Sequence, residues 1–332
     1  MAVVTGGNGG LGLETVTALA AKRAHVIMAA RSRARAVAAR DRIIAAHPGA
    51  EVEIVLLDLA ELASVERAAG EIRTAHTTID LLINNAGVMA VPPAATADGF
   101  EIHLGVNHLG HWALTAHLLP AITRTPGARV VTLTSGAQHF ARPITIKGHT
   151  PRGYGGWRAY DESKLANRHF AQGLDRQFRS AGLSARALTA HPGFANSDLM
   201  DRATGAGPRG AIMFPMARTM GMSAERGALS QLRAATDPRA EGGTMAGPRW
   251  QISGPPVLRR LIRPGADRAI RALWEFSRAA TGLDVDVTRA LAGTTAGTAA
   301  GTTAGTATGT TVGTATGTTV GTAAGTGAGA RT

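Results

Sequence analysis

Short apolar runs alternate with longer amphipathic stretches along most of the chain. The runs lie at residues 2–5, 25–31, 51–57, 79–83, 129–134 and 184–190. Nearly continuous apolar runs are typical of parallel strands that are covered on both faces, and the stretches between them have a helical pattern. The alternation therefore predicts an α/β fold in which one doubly wound parallel sheet carries helices on both faces.

The length of the chain and its composition bear on the number of domains. The chain has 332 residues and 44% of them are hydrophobic, so it can bury a full core, and length alone would allow two domains. Because strand-like and helix-like segments alternate without interruption, we expect a single domain over residues 1–288.

A low-complexity tail of Gly, Thr and Ala occupies residues 289–332. From Gly293 to Gly329 a glycine recurs at every fourth position, usually followed by threonine. Such a segment buries too little apolar surface to offset its ordering entropy, so we expect disorder. A membrane helix that dimerises through its glycines is the alternative, but the tail lacks the hydrophobicity. The chain also shows no leader-like start and no long apolar run, so we expect a cytoplasmic protein without an integral membrane segment.

A glycine-rich turn follows the first apolar run. It reads T5-G-G-N-G-G-L-G12 and leads directly into a helix-like stretch. A strand, turn and helix in this order present backbone N–H groups and the positive helix end to a phosphate. A flexible surface turn is the alternative, but the next apolar run follows at the distance that a βαβ unit requires. The predicted dinucleotide-binding residues are Gly6, Asn8, Gly9, Gly10, Leu11 and Gly12.

The residue that ends the second apolar run bears on cofactor choice. An acidic residue there would bind a ribose hydroxyl, whereas this chain has Arg31, which suits a 2′-phosphate. The alternative is that Arg31 begins the basic face of an exposed helix. The sequence favours NADP(H), with NAD(H) possible.

Tyr160 and Lys164 stand four positions apart and Ser135 lies upstream of them. On a helix, such a pair shares one face, so the ammonium can stabilise the phenolate. To exchange its proton near neutral pH, the phenol needs a pKa that is lower by roughly 3 units, which corresponds to about 4 kcal/mol. A surface tyrosine beside a solvated lysine is the alternative interpretation of the pair alone.

Taken together, these motifs resemble the short-chain dehydrogenase/reductase family. They occur in family order as the glycine turn, D58-L59, N84-N-A-G87, N107, S135, Y160-x-x-x-K164 and H191-P-G193. The phrases TADGFEIHLGVNHLGHWALT and WRAYDESKLAN resemble its retinol-dehydrogenase-like branch. The resemblance implies a Rossmann-type fold and hydride transfer between a nicotinamide cofactor and an alcohol, aldehyde or ketone.

The resemblance also implies a role for each matched residue. Ser135 would bind the substrate oxygen, Tyr160 would transfer the proton, and Lys164 would lower the pKa of Tyr160 and hold the nicotinamide ribose. Asn107 would position a water that links Lys164 to solvent. The other expected cofactor contacts are Asp58, Leu59, Asn85, Ala86, Gly87, Pro192, Gly193 and Ser197, the last standing where the family commonly has threonine.

Composition excludes other chemistry. The chain has no cysteine, which excludes disulfides and thiolate catalysis, and its eleven histidines lack an H-E-x-x-H spacing, so we expect no metal site. The net charge is +12, but the arginines are scattered, so we expect no nucleic-acid partner. A homo-oligomer is possible.

The substrate is the least defined feature. The flanking apolar residues Met89, Val91, Phe140, Phe194, Leu199 and Met200 suggest a lipophilic substrate, although core packing also explains such residues. An irregular, glycine-rich stretch separates Ser135 from Tyr160. Together with the tail, this stretch keeps open a second hypothesis, a catalytically silent nucleotide-binding sensor or scaffold.

Overall fold

The computed structural model describes residues 1–141, 154–195, 210–211, 215, 221–260, 262 and 264–292. The strands are β1 (Ala2–Thr5), β2 (Val26–Ala30), β3 (Val52–Leu56), β4 (Leu81–Asn84), β5 (Arg129–Leu133), β6 (Arg186–Ala190), β7 (Thr244–Pro248) and β8 (Pro256–Arg260). The helices are α1 (Gly10–Ala21), α2 (Arg33–Ala46), α3 (Leu62–Ala75), α4 (Ile102–Leu104), α5 (Gly110–Thr123), α6 (Gly156–Ser180), α7 (Ala224–Thr236) and α8 (Ala266–Thr281). A π-helical segment (Gly105–Leu109) joins α4 to α5, and a 3₁₀ turn (Gly136–His139) follows β5.

These strands form one sheet in the order β3-β2-β1-β4-β5-β6-β7-β8. Neighbouring strands are parallel from β3 through β7, and β8 pairs with β7 in the antiparallel direction. The chain order reverses at β1, which lies between β2 and β4. In open α/β sheets, ligands bind in the crevice beyond the carboxyl ends of the strands at such a reversal.

Apolar side chains cover both faces of the sheet. On one face, Leu114 from α5 and Phe170 from α6 belong to a buried cluster that also includes residues of α3 and α8. On the other face, Val16 from α1 and Ile43 from α2 pack with residues of α7. The predicted doubly wound α/β fold, with helices on both faces, is confirmed.

Two features of the carboxyl-terminal part go beyond the prediction. Strands β7 and β8 extend the sheet, although neither was expected. Past β8 and α8, Val285 and Val287 are buried in the core and Leu291 packs against it, so packing continues beyond the expected domain boundary at residue 288. The expected disorder of the tail concerns mainly residues 293–332, which lie outside the described residues. Within the described ranges, none of the helices has the length and apolarity that crossing a bilayer requires.

Candidate active site

A cleft of about 260 Å³ opens at the carboxyl ends of β1, β2, β4 and β5. It gathers most of the residues that the sequence predicts for the site. These are Gly6, Asn8, Gly9, Gly10, Leu11, Gly12, Arg31, Asp58, Leu59, Asn85, Ala86, Gly87, Tyr160, Lys164 and Pro192. Residues from motifs that are far apart in the sequence therefore line one continuous wall.

The glycine turn has a backbone that larger residues would distort. Gly6 has a φ of +66°, in the left-handed region that favours glycine. A Cβ atom at Gly12 would lie 2.3 Å from the carbonyl oxygen of Gly6 and 2.6 Å from Nδ2 of Asn85. Because α1 begins at Gly10, the turn places the start of that helix on the cleft. Backbone N–H groups at the start of a helix, on a main chain without side chains in the way, suit a pyrophosphate group.

A buried hydrogen-bond network joins the glycine turn to the N84-N-A-G87 motif. The Thr5 hydroxyl accepts from the N–H groups of Asn85 (2.9 Å) and Ala86 (3.0 Å), and Nδ2 of Asn85 donates to the Thr5 carbonyl (2.7 Å). Nδ1 of His111 lies 3.0 Å from the carbonyl oxygen of Asn107 and therefore carries the proton, which leaves Nε2 to accept from Thr5 (2.9 Å). Burial lowers the pKa of His111 to about 4, so this ring is neutral at pH 7.

Basic side chains lie at the end of the cleft beyond β2. Arg31 and Arg35 both line it, and the Arg31 guanidinium approaches Oδ2 of Asp58 at 4.0 Å. The other oxygen of Asp58 accepts from the Ala60 N–H at 2.9 Å, which fixes the carboxylate. The Arg31 side chain is 67% exposed, so it can turn toward an anion in the cleft.

Tyr160 and Lys164 lie on α6 and are both buried against the cleft. The Lys164 Nζ atom is 5.6 Å from the centroid of the Tyr160 ring and 3.4 Å from the carbonyl oxygen of Leu133, to which it donates. Burial lowers the pKa of Lys164 to about 8, which leaves it mostly cationic at pH 7. A Cβ atom at Gly87 would lie 3.4 Å from Nζ, so a glycine there keeps the wall open beside the ammonium.

Asn107 lies in the π-helical segment, behind Gly87. Its Oδ1 accepts from the Val88 N–H (2.8 Å), while its Nδ2 donates to the Val88 carbonyl (3.0 Å) and to the Ser163 hydroxyl (2.9 Å). The side chain thus ties the loop after β4 to α6, one residue before Lys164. Its use in holding a water remains a prediction.

Ser135 follows β5 and caps the 3₁₀ turn, where its hydroxyl accepts from the Ala137 N–H at 3.3 Å. The preceding residue, Thr134, lines the cleft and donates to the Lys164 carbonyl at 2.8 Å, which places Ser135 next to the cleft wall. Gly193 has a φ of +75°, and a Cβ there would lie 2.6 Å from the Ile252 carbonyl oxygen. Ser197 falls outside the described residues.

A buried group beside Tyr160 was not identified from the sequence. Nε2 of His103 accepts from the Val91 N–H (3.3 Å), so the ring carries its proton on Nδ1 and donates it to Glu101 (2.7 Å). The Tyr154 hydroxyl donates to the same Glu101 oxygen (3.1 Å). The His103 ring packs edge-on against the ring of Tyr160, with centroids 6.4 Å apart. These contacts hold the loop before α4 against the start of α6.

The Glu101 carboxylate influences both of its partners. Burial opposes its charge, but hydrogen bonds from the His103 ring and from the N–H groups of His103 and Leu104 outweigh burial and lower the pKa of Glu101. Burial and this carboxylate raise the pKa of Tyr154 well above its ordinary value. Tyr154 is therefore held as a neutral phenol and is excluded as the residue that gives up a proton near neutral pH.

Apolar side chains lie next to Tyr160. Met89 and Trp157 pack against the buried Ala90, and the Trp157 ring is edge-on to Tyr160 with centroids 6.1 Å apart. Phe140 is 74% exposed at the end of the 3₁₀ turn. Leu199 and Met200, together with residues 142–153 of the irregular stretch, lie outside the described residues.

Comparison with known proteins identifies relatives of the whole site-bearing region. The sequence model of a family described as short chain dehydrogenase matches residues 1–206. Retinol dehydrogenase 11 of Mus musculus is 39% identical over 202 residues, which cover 60% of this chain and 62% of that protein. The WW domain-containing oxidoreductase of Pongo abelii is 34% identical over 248 residues, covering 72% and 59%. The chain thus matches about three fifths of the length of these relatives.

Solved structures give the same picture of the fold. The crystal structure of an uncharacterized protein from Mycobacterium Paratuberculosis is 38% identical, with a TM-score of 0.68, and covers 85% of this chain and 93% of that one. A short chain dehydrogenase from Burkholderia cenocepacia J2315, solved in complex with NADP, is 24% identical with a TM-score of 0.59 and covers 76% and 96%. The latter likeness concerns the fold alone.

Proposed function

The chain belongs to the short chain dehydrogenase family, and we propose that it is an NADP(H)-dependent oxidoreductase that interconverts an alcohol and a carbonyl compound. One observation carries the proposal. Tyr160 and Lys164 are buried together on the wall of a cleft whose other end is the glycine turn. A proton donor and a nucleotide cradle in one cleft are what carbonyl reduction requires.

The proton chemistry depends on the charge of Lys164. At an effective dielectric constant of about 20, a unit charge 5.6 Å away stabilises an opposite charge by about 3 kcal/mol. With the phenolate charge placed at the ring centroid, this attraction supplies part of the roughly 4 kcal/mol needed for proton transfer near neutral pH, while burial of Tyr160 opposes the phenolate. Because the pKa of Lys164 is about 8, it still carries that charge at pH 7. Tyr160 then gives its proton to the substrate oxygen in reduction and removes it in oxidation.

The other residues position the reactants. When NADP(H) is bound, its nicotinamide supplies or accepts the hydride. The turn from Gly6 to Gly12 would hold the pyrophosphate, and Asn85, Ala86 and Gly87 would line the path toward Lys164, which would bind the ribose. Ser135 would donate a hydrogen bond to the substrate oxygen, opposite the proton from Tyr160.

The preference for NADP(H) rests on Arg31 and Arg35. Both line the cleft beyond β2, where a 2′-phosphate would lie, and a charge-assisted hydrogen bond contributes about 1.5 to 3 kcal/mol. Asp58 competes only weakly with a 2′-phosphate for the Arg31 guanidinium, because one of its oxygens accepts from the Ala60 N–H and the other lies 4.0 Å from Arg31. NAD(H) would fit the same cradle with lower affinity.

The substrate is expected to be a lipophilic alcohol or its aldehyde or ketone. The Trp157 ring is edge-on to Tyr160, Met89 packs with Trp157 against Ala90, and Phe140 is exposed at the end of the 3₁₀ turn that Ser135 caps. The relatives named retinol dehydrogenase point in the same direction, because retinol is an apolar primary alcohol.

Steady-state assays test the proposal. The chain is incubated with NADPH or NADH and with matched series of aldehydes and ketones of increasing alkyl length. We expect NADPH oxidation that becomes more efficient with longer chains, and slower turnover with NADH. Tight NADPH binding without turnover across the series would contradict the enzymatic proposal and support the nucleotide-binding sensor instead.

A further inference from the structure

Three potential metal ligands meet at the amino-terminal edge of the sheet. His25 immediately precedes β2, Glu53 lies near the start of β3, and His76 caps the end of α3, where its N–H donates to the Ile72 carbonyl. Oε2 of Glu53 lies 3.2 Å from Nε2 of His25 and 2.9 Å from Nε2 of His76. All three ligand atoms lie within 4.8 Å of one another. The fold thus brings together two imidazole nitrogens and one carboxylate oxygen from three separate elements.

This ligand set has the chemistry of a zinc site. In catalytic zinc sites, two histidines and one glutamate can hold the ion, with water in the fourth position. Tetrahedral bonds of about 2.0–2.1 Å place neighbouring ligand atoms about 3.3 Å apart, close to the 3.2 Å and 2.9 Å that separate the two imidazole nitrogens from the Glu53 oxygen. Two neutral imidazoles and one carboxylate also offset half of the charge of a dication. The side chains are 19% to 33% exposed, so a water molecule can reach the open position.

We propose that His25, Glu53 and His76 bind one Zn²⁺ ion. The ion would join the edge strand β3 and its neighbour β2 to helix α3. The cleft opens at the opposite, carboxyl-terminal edge of the sheet, and the site therefore takes no part in the proposed hydride transfer. The expectation of no metal site came from linear spacing, which does not detect ligands that are brought together only by strand register and a helix end.

The alternative is a purely hydrogen-bonded cluster. In that arrangement each imidazole donates its Nε2–H to the same carboxylate oxygen, whereas zinc requires both Nε2 atoms to offer their lone pairs. Glu53→Gln separates the two states. A hydrogen-bonded cluster keeps its acceptor in glutamine, whereas a zinc site loses its anionic ligand and with it the bound ion.

Calorimetric titration with Zn²⁺ tests the site in the untagged full chain after EDTA treatment and dialysis. We expect one equivalent to bind and the Tm to rise by about 5 to 10 °C at a zinc concentration about 100 times Kd. Glu53→Gln and the double variant His25→Gln, His76→Gln should each lose this equivalent. The matched control His47→Gln, a half-buried histidine outside the cluster, should keep it.

Two results would overturn the proposal. One is the absence of a bound equivalent in the wild-type chain, and the other is an equivalent that persists in both Glu53→Gln and the double variant. X-ray absorption of the zinc-loaded wild-type chain decides the matter without any variant. It should show two imidazole nitrogens and two oxygens, one from Glu53 and one from water, at about 2.0–2.2 Å, and a first shell made only of water would refute the site.

Discussion

Replacing Lys164 with methionine is expected to stabilise the cofactor-free protein while it removes the activity. Burial lowers the pKa of Lys164 from its ordinary value of 10.5 to about 8, which means that folding places a charge where it is disfavoured. At 1.36 kcal/mol per pKa unit this shift corresponds to about 3 kcal/mol of lost stability. Methionine removes the charge and has a similar length. The Leu133 carbonyl keeps a second donor, Nδ2 of Asn167 at 2.9 Å, so the net gain is about 2 to 3 kcal/mol.

The stability gained by Lys164→Met depends on pH, because the folded and unfolded chains release the lysine proton at different pH values. Below pH 8 both the folded and the unfolded chain carry the lysine proton, so the penalty is fully present. Between pH 8 and 10.5 the folded chain releases the proton while the unfolded chain retains it, and stability rises with pH as the penalty disappears. The gain from Lys164→Met should therefore be largest at pH 7 and fall to about 1 kcal/mol near pH ~9.5.

Urea unfolding of both proteins at these two pH values measures the gain. Lys22→Met serves as the control, because Lys22 is exposed at the end of α1 and its loss should change stability by less than about 0.5 kcal/mol. A Lys164→Met variant that is less stable than the wild type at pH 7 would refute the reasoning. So would a stability gap that stays constant as the pH rises.

Three further substitutions test other parts of the account. Arg31→Ala should lower kcat/KM for NADPH by about 10- to 100-fold and leave NADH turnover nearly unchanged, in parallel steady-state assays. Gly12→Ala should weaken NADPH binding at least tenfold and cost about 1 to 3 kcal/mol in urea unfolding, because its Cβ would meet the Gly6 carbonyl. The control Gly70→Ala, within α3 and with open space around it, should instead stabilise by about 0.5 to 1 kcal/mol. His103→Leu should cost about 2 to 3 kcal/mol in the same unfolding assay, because it leaves the Val91 N–H and the Glu101 carboxylate without the ring.

For each of these three substitutions, one result would contradict the prediction. Equal losses with NADPH and NADH in Arg31→Ala would place the guanidinium away from the 2′-phosphate. Unchanged NADPH affinity in Gly12→Ala would show that the turn does not hold the cofactor. Wild-type stability in His103→Leu would mean that the buried group contributes little to the fold.

Features that are local in the sequence could be predicted. The glycine turn, the pair at positions 160 and 164 and the six apolar runs are contiguous or have fixed spacing. The structure has the turn between β1 and α1, the pair on α6 and the six runs at strands β1 to β6. Strands β7 and β8 could not be predicted in this way. The first reads TMAGP and the second PVLRR, so neither has an apolar run, and their strand structure comes from pairing with β6 and with each other.

Long-range side-chain contacts also escaped the sequence. Tyr154 and Glu101 are separated by 53 positions, and Thr5 and His111 by 106, so no spacing rule connects them. The segment TADGFEIHLG contains Glu101 and His103, but the sequence does not show that they contact Tyr154 and Tyr160, because only the fold brings α6 against that loop. The same limit applies to His25, Glu53 and His76, which are brought together only by the register of β2 with β3 and by the end of α3.

The central claim is that Tyr160 transfers the proton that accompanies hydride transfer. The sequence contains two tyrosines, which allows a matched comparison of Tyr160→Phe with Tyr154→Phe. Single-turnover NADPH oxidation with the best aldehyde substrate is the most direct measurement. Tyr160→Phe should slow it by about 10² to 10⁴-fold with NADPH affinity retained, and Tyr154→Phe should change it only severalfold. Similar rates for Tyr160→Phe and the wild type would contradict the account.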